Sequence, residues 1–183
     1  MKKLLLAAAI AASSAGASAE WSPVQISDSN SPYTSTESTN AAYTNLVLYA
    51  DPNDGCSITM RYMEIDYSTD ADEQVLDVEL QMKVKSIVPF IGATINIKHQ
   101  RADDGSYFTV FDSYLTPSET LISEIVTGDK LILRIKIGDK WFDTVRFSLA
   151  GSRHRINQML SKCSDMQGSE WEETSYSSDE WSV

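Results

Sequence analysis

Val75-Leu76-Asp77-Val78-Glu79-Leu80-Gln81-Met82-Lys83-Val84 alternates apolar and polar residues along its length. Successive side chains of a strand point to opposite faces, so Leu76, Val78, Leu80, Met82 and Val84 form a buried face and the intervening residues a wet one. Such one-sided burial belongs to an antiparallel sheet rather than to a parallel sheet covered on both faces.

The same period recurs downstream. In the stretch 130–137, Leu131, Leu133, Ile135 and Ile137 alternate with Ile132, Arg134 and Lys136. Gly138-Asp139 separates it from a further strand over 141–149, and glycine first in a two-residue loop suits a type II′ hairpin. Upstream, 45–50 (Leu46, Val47, Leu48, Tyr49) reads as a buried strand. The turn cluster Asp51-Pro52-Asn53-Asp54-Gly55 leads to a second strand over 57–65. Strands are also expected over 93–99, with Ile95 and Ile97 on one side, and over 107–114, joined by a turn at Asp103-Asp104-Gly105. The stretch 118–126 reads either way, with Ser118 placed to cap a short helix carrying Leu121, Ile122 and Ile125. After Gly151 breaks the last strand, Ser152 is expected as N-cap of a helix. Ile156, Met159, Leu160 and Cys163 then share one face at helical spacing, and Arg153, Arg155 and Lys162 point away from it. The expected fold is mainly β, an antiparallel sandwich or open barrel with a C-terminal helix packed on the sheet, carrying one disulfide.

The ends differ from this middle. Lys2 and Lys3, an apolar run from Leu4 to Ala12, and Ala17-Ser18-Ala19 before Glu20 make the three-part pattern of a secretory signal peptide over 1–19; the alternative is an uncleaved amphipathic helix. The apolar run is shorter than the ~20 residues that span a bilayer. Its Lys/Ala-rich character is prokaryotic, which sends the mature chain, starting near Glu20, to the periplasm or beyond. That compartment is oxidising. The two cysteines, Cys56 and Cys163, then pair most simply as one disulfide closing a loop of 107 residues; two buried free thiols are the alternative. The stretch 20–44 is rich in Ser, Thr and Asn and is expected as an extended arm with one edge strand. The β-rich domain spans 45–164. The stretch 165–183 is an acidic tail, expected to be disordered, with Trp171, Tyr176 and Trp181 spaced among its acids.

Removing Lys2 and Lys3 takes the formal charge from −11 to −13. Six acids in 165–183 and three in 20–44 stand without a Lys or Arg, so 45–164 carries only about four of that excess. A chain of this sign is repelled by phosphate backbones and anionic lipid, so neither nucleic acid nor membrane insertion is expected. The bland account of the acidity is solubility.

Catalysis needs a concentrated group of residues with tuned proton affinity or metal-binding ability. The chain has no G-x-S-x-G elbow, His-Glu-x-x-His, Cys-x-x-Cys or P-loop. His99 at a strand end and His154 between two arginines are expected at the surface. Asp66, Asp70, Asp72 and Glu73 share one loop, and Asp51, Asn53 and Asp54 another, but the second lacks the spacing of an EF-hand. No catalytic residue, metal site or cofactor is therefore expected. Trp141, Trp171 and Trp181 are the candidate partner-binding residues, with Trp21 a further aromatic able to meet a partner. Asp112, Asp143 and Arg146 are expected on an outer sheet face.

The C-terminal third carries a family likeness. Glu119-Thr120-Leu121-Ile122, the run Gly128-Asp129-Lys130-Leu131-Ile132-Leu133-Arg134-Ile135, then Phe147-Ser148-Leu149-Ala150-Gly151 and an amphipathic helix ending in Cys163 resemble the type VI secretion-associated periplasmic proteins of the VasI/TagO-like kind. They are also similar to the invasion-associated locus B-like proteins, which share a strand–Gly–helix–Cys ending. The likeness covers 118–163; the Ser/Thr-rich arm and acidic tail depart from it. It implies architecture, a non-enzymatic role and the Cys56–Cys163 pair, and transfers no other residue. The expectation is an exported binding or accessory protein of the bacterial cell envelope, in contact with a protein partner there and associated with a secretion system. A carboxylate-pair glycan hydrolase, an inhibitor or immunity protein against an exported toxin, and a ligand-carrying β-barrel are the alternatives. Oligomeric state is left open.

Overall fold

The computed structural model describes residues 20–67, 74–101, 107–142 and 144–169. The stretch 1–19, the turn at 103–105, Asp70, Asp72, Glu73, Asp143, Trp171, Tyr176 and Trp181 lie outside the described residues.

The elements in chain order are β1 (Gln25–Ile26), β2 (Pro32–Glu37), β3 (Thr44–Asp51), β4 (Ser57–Asp66), β5 (Gln74–Lys83), β6 (Ile87–Arg101), β7 (Tyr107–Leu115), α1 (Glu119–Thr127), β8 (Lys130–Ile137), β9 (Lys140–Trp141), β10 (Val145–Ser148) and α2 (Ser152–Ser169). A 3₁₀ turn, Pro52–Asp54, joins β3 to β4. The strands form one antiparallel sheet in the order β1-β2-β3-β4-β7-β6-β5-β8-β10, and β9 pairs with β8. The open sheet curls until its ends meet. Ser38, just past β2, bridges Phe147 of β10, and the Thr39 amide donates to the Arg146 carbonyl at 2.8 Å. Asn40 completes the junction: its Oδ1 accepts from the Arg146 amide at 2.7 Å and its Nδ2 donates to the Thr144 carbonyl at 2.8 Å. Of the two expected architectures, the open barrel is the one formed.

The alternation sets the two faces. Val78, Leu80 and Met82 of β5, Leu131, Leu133 and Ile135 of β8, and Leu46 and Leu48 of β3 all enter one core. Tyr62, Phe147 and Met60 fill it with no exposed side-chain surface, so the barrel interior is packed with its own residues. The helices cover it: α1 contributes Leu121 and Ile125, and α2 contributes Ile156, Met159 and Cys163, all buried. Cys163 bonds Cys56 across a sequence separation of 107, with Cα atoms 5.9 Å apart, so the last helix is stapled to the entry of β4.

Several local expectations are refined. Ser118 caps α1, its hydroxyl accepting from the Leu121 amide at 3.2 Å. Ser152 is the first residue of α2 rather than its cap; buried at the helix junction, its hydroxyl donates to the Ile125 carbonyl at 2.8 Å and serves α1 instead. Gly138 takes φ +59°, as the first central residue of the II′ turn requires, but the returning strand is not continuous. Trp141 pairs with Lys136, whereas Val145 pairs with Leu133, a slip of one residue that splits the expected strand into β9 and β10. Strand β6 starts earlier than expected, at Ile87; Pro89 pairs with Gln81, and the register shifts between the Val78–Ala93 and Leu80–Phe90 pairs.

The stretch 20–44 is extended, as its composition suggests, but it is built into the barrel. Thr34 and Thr36 of β2 are buried on the core side. The Ser22 amide donates to the Ser35 carbonyl at 2.7 Å and Thr34 Oγ1 donates to the Ser22 carbonyl at 2.7 Å. This zipper turns Trp21 inward, where it is 2% exposed, so Trp21 is a core residue and not a surface for a partner. Helix α2 continues to Ser169, into the stretch expected as tail, and Gln167 Nε2 donates to the Pro52 carbonyl at 2.8 Å.

Candidate docking surface

The outward residues of β5 and β8 carry the chemistry that the core-facing residues lack. Antiparallel register sets Glu79 opposite Lys136, Gln81 opposite Arg134 and Lys83 opposite Ile132. On the far side of β8, Trp141 lies opposite Lys136 and Arg146 opposite Ile132. Five cations, Lys83, Lys130, Arg134, Lys136 and Arg146, therefore share this face with two carboxylates of β5, Asp77 and Glu79, among the described residues. Glu79 is taken up by Lys136, 3.2 Å away.

Apolar surface lies between these charges. Ile87 is 59% exposed, Phe142 53% and Trp141 37%. The Arg134 guanidinium lies 4.4 Å from the Trp141 ring centroid and the Lys136 ammonium 5.7 Å from it. The cations are thus held over the aromatic ring, which is attracted to positive charge through its negative face. The slip between β9 and β10 turns Phe142 outward beside Thr144, and its amide donates to the Ile135 carbonyl at 2.8 Å. Gln81, Lys83, Ile87, Ile132, Arg134, Phe142 and Thr144 line a shallow depression of about 450 Å³. It has an apolar floor and a basic rim. Such a patch on a chain of net charge −11 stands against the surrounding potential.

Of the three candidate tryptophans, Trp141 belongs to this surface; Trp171 and Trp181 lie outside the described residues. Lys83, Ile87 and Phe142 were not legible as site residues. Their grouping depends on strand register and on the bulge, and the one sequence clue was that Arg134 and Lys136 occupy the outward positions of a strand.

The other candidates have structural partners. Asp112 points outward as expected, yet it is 4% exposed and holds Arg61. Burial works against the Arg61 charge, but hydrogen bonding and charge from Asp112, aided by Tyr49 and Tyr114, more than offset it and raise its pKa. The Tyr62 hydroxyl donates to Glu64 at 2.5 Å, and burial, reinforced by the Glu64 charge, pushes the phenol well above its usual pKa. Asp51 Oδ1 accepts from the Asn53 amide and Asp54 Oδ2 from the Ser57 hydroxyl, so that oxygen-rich group stabilises a turn. Among the described residues no three His, Cys, Asp or Glu side chains gather as metal ligands would. His154 is exposed; His99 is half-buried instead of at the surface, its Nδ1 3.4 Å from Thr109 Oγ1, because it falls in register on the inward side of β6. No helix of the described residues is long and apolar enough to cross a membrane.

Comparison with known proteins returned no matching family model and no matching curated relative. Among solved structures, the chain is similar to invasion associated protein B from Bartonella henselae, with a TM-score of 0.49 and 11% identity over 81% of this chain and 97% of that one. The likeness concerns the course of the chain, and no residue role is taken from it.

Proposed function

We propose that the chain is an exported, non-enzymatic binding or accessory protein of the bacterial cell envelope, which docks an acidic, aromatic-bearing segment of a partner protein on the outer face of β5, β8 and β9. The observation that carries this reading is the concentration of Lys83, Lys130, Arg134, Lys136 and Arg146 around exposed Ile87, Phe142 and Trp141. Cations steer an anionic segment and fix its register, while exposed aromatic and aliphatic side chains supply the area that excludes water. The Cys56–Cys163 bond and the leader-like sequence over 1–19 support an oxidising destination. Association with a secretion system is part of the proposal and rests on the sequence likeness of residues 118–163.

A synthetic Glu-rich peptide carrying two tryptophans serves as the probe, with a Glu-rich peptide lacking aromatics as its control. Replacing Lys83→Glu and Arg134→Glu together should weaken probe binding at least ~10-fold, the scale of one lost anchor. Replacing Arg153→Glu and Lys162→Glu on exposed α2 positions should leave it unchanged. Equal loss from both pairs, or from neither, removes the reading.

A further inference from the structure

The same face has a complementary segment within its own chain. The stretch 170–183 contains Glu170, Glu172, Glu173, Asp179 and Glu180, no Lys or Arg, and Trp171, Tyr176 and Trp181. These are the residue types that a basic rim with an apolar floor selects: carboxylates for Lys83, Lys130 and Arg134, and rings for Phe142, Ile87 and Trp141. We propose that the segment 170–183 is the resting occupant of the β5–β8–β9 face, bound in cis, so that a partner must displace it. The proposal rests on the docking surface described above and adds its regulation.

Position and length allow it. Helix α2 is described as far as Ser169, and Gln167 is tied to the Pro52 carbonyl at the turn between β3 and β4. From that point the path round the curled sheet passes β2 and β10 before reaching β8. Three strand spacings amount to ~15 Å, and the length of β2 adds ~20 Å along the strands. Fourteen extended residues span up to ~46–50 Å. Tethering also removes most of the entropy of association, since a short linker holds the segment at millimolar effective concentration. Contacts too weak to hold a free peptide therefore suffice in cis. The interaction pairs carboxylates with cations exposed on the face, so salt weakens it.

Zero-length carbodiimide cross-linking of the full mature chain, followed by peptide mapping, tests this directly, because it joins only carboxylates and amines in contact. Isopeptide links from the acids of 170–183 to Lys83, Lys130, Lys136 or Lys140 are expected in monomeric protein, at least ~5-fold fewer in 0.5 M salt, where the Debye length falls below ~5 Å. Links in the monomer only to Lys85, Lys98 or Lys162, links to the face only between two copies, or no links from the tail would overturn the proposal. A second measurement separates this proposal from the docking reading. In a chain carrying Glu170→Gln, Glu172→Gln, Glu173→Gln, Asp179→Asn and Glu180→Gln, the Glu-rich tryptophan probe should bind about 10-fold more tightly than to the native chain. Unchanged probe binding that still depends on Lys83 and Arg134 refutes cis occupancy and leaves the docking face standing; probe binding indifferent to Lys83 and Arg134 refutes both.

Discussion

Arg61 on β4 and Asp112 on β7 are joined by two parallel hydrogen bonds, Nε to Oδ1 and Nη2 to Oδ2, each 2.8 Å. The pair lies on the outer face of the sheet, with the guanidinium 5.2 Å from the Tyr114 ring centroid. Two-point recognition by a planar fork is the strong form of an ion pair. Its removal from one side leaves a desolvated charge behind. Asp112→Ala should cost ~3–5 kcal/mol in chemical unfolding, with Asp112→Asn costing less. The double replacement Arg61→Met with Asp112→Leu should recover most of that loss, because it removes both charges. A double replacement no more stable than Asp112→Ala alone would show that the pair contributes more than its own desolvation.

The disulfide invites a redox test. Cys56 sits at φ +61°, directly after Gly55 at φ +57°, a pair of left-handed residues at the end of the 3₁₀ turn. Only the bond to Cys163 ties this turn covalently to α2. Reduction, or Cys163→Ser, should lower stability by ~2–5 kcal/mol, read as a shift in the urea midpoint with and without reductant. An unchanged midpoint would mean that noncovalent packing of Ile156 and Met159 alone fixes the helix.

Glu124 provides a pH-dependent contact. Its carboxylate accepts from the Ser86 hydroxyl at 2.6 Å and from the Lys85 and Ser86 amides at 3.0 and 3.1 Å. The Ser86 hydroxyl leads these donors in holding its pKa below the usual 4.5. A carboxyl whose folded pKa is depressed stabilises the fold fully above its unfolded pKa, and the contribution disappears as pH falls through the folded value. Thermal midpoints of the native chain and Glu124→Gln should therefore differ above pH 4.5 and converge below it. A difference independent of pH would assign the effect to packing.

Gly128 follows α1 without a special backbone conformation, at φ −97°, yet a Cβ there would lie 2.3 Å from Val84 Cγ1 and 2.8 Å from the Glu124 carbonyl. Gly128→Ala should cost ~1–3 kcal/mol through overpacking. Gly138→Ala meets no atom within 4 Å and should cost only the strain of its left-handed backbone, ~1 kcal/mol. Melting curves of the two variants distinguish the mechanisms if Val84→Ala partly rescues Gly128→Ala and does nothing for Gly138→Ala.

Local features were legible in the residues alone. The alternation in 75–84 and 130–137 gave two strands and their buried faces, since side-chain period is a property of one strand. Gly138-Asp139 gave the hairpin turn, and Ile156, Met159 and Cys163 gave the inward face of the last helix. The expected export made a Cys56–Cys163 bond the simplest reading of two cysteines, and the bond is present. The rest depends on which strands lie side by side, and that emerges from the folded chain. Closure through Asn40, the inward turn of Trp21 and the Arg61–Asp112 pair join residues far apart in the chain, and no periodicity encodes such partners. The basic face has the same origin: Lys83, Ile87, Arg134 and Phe142 come from four segments whose registers, with one bulge, bring them together.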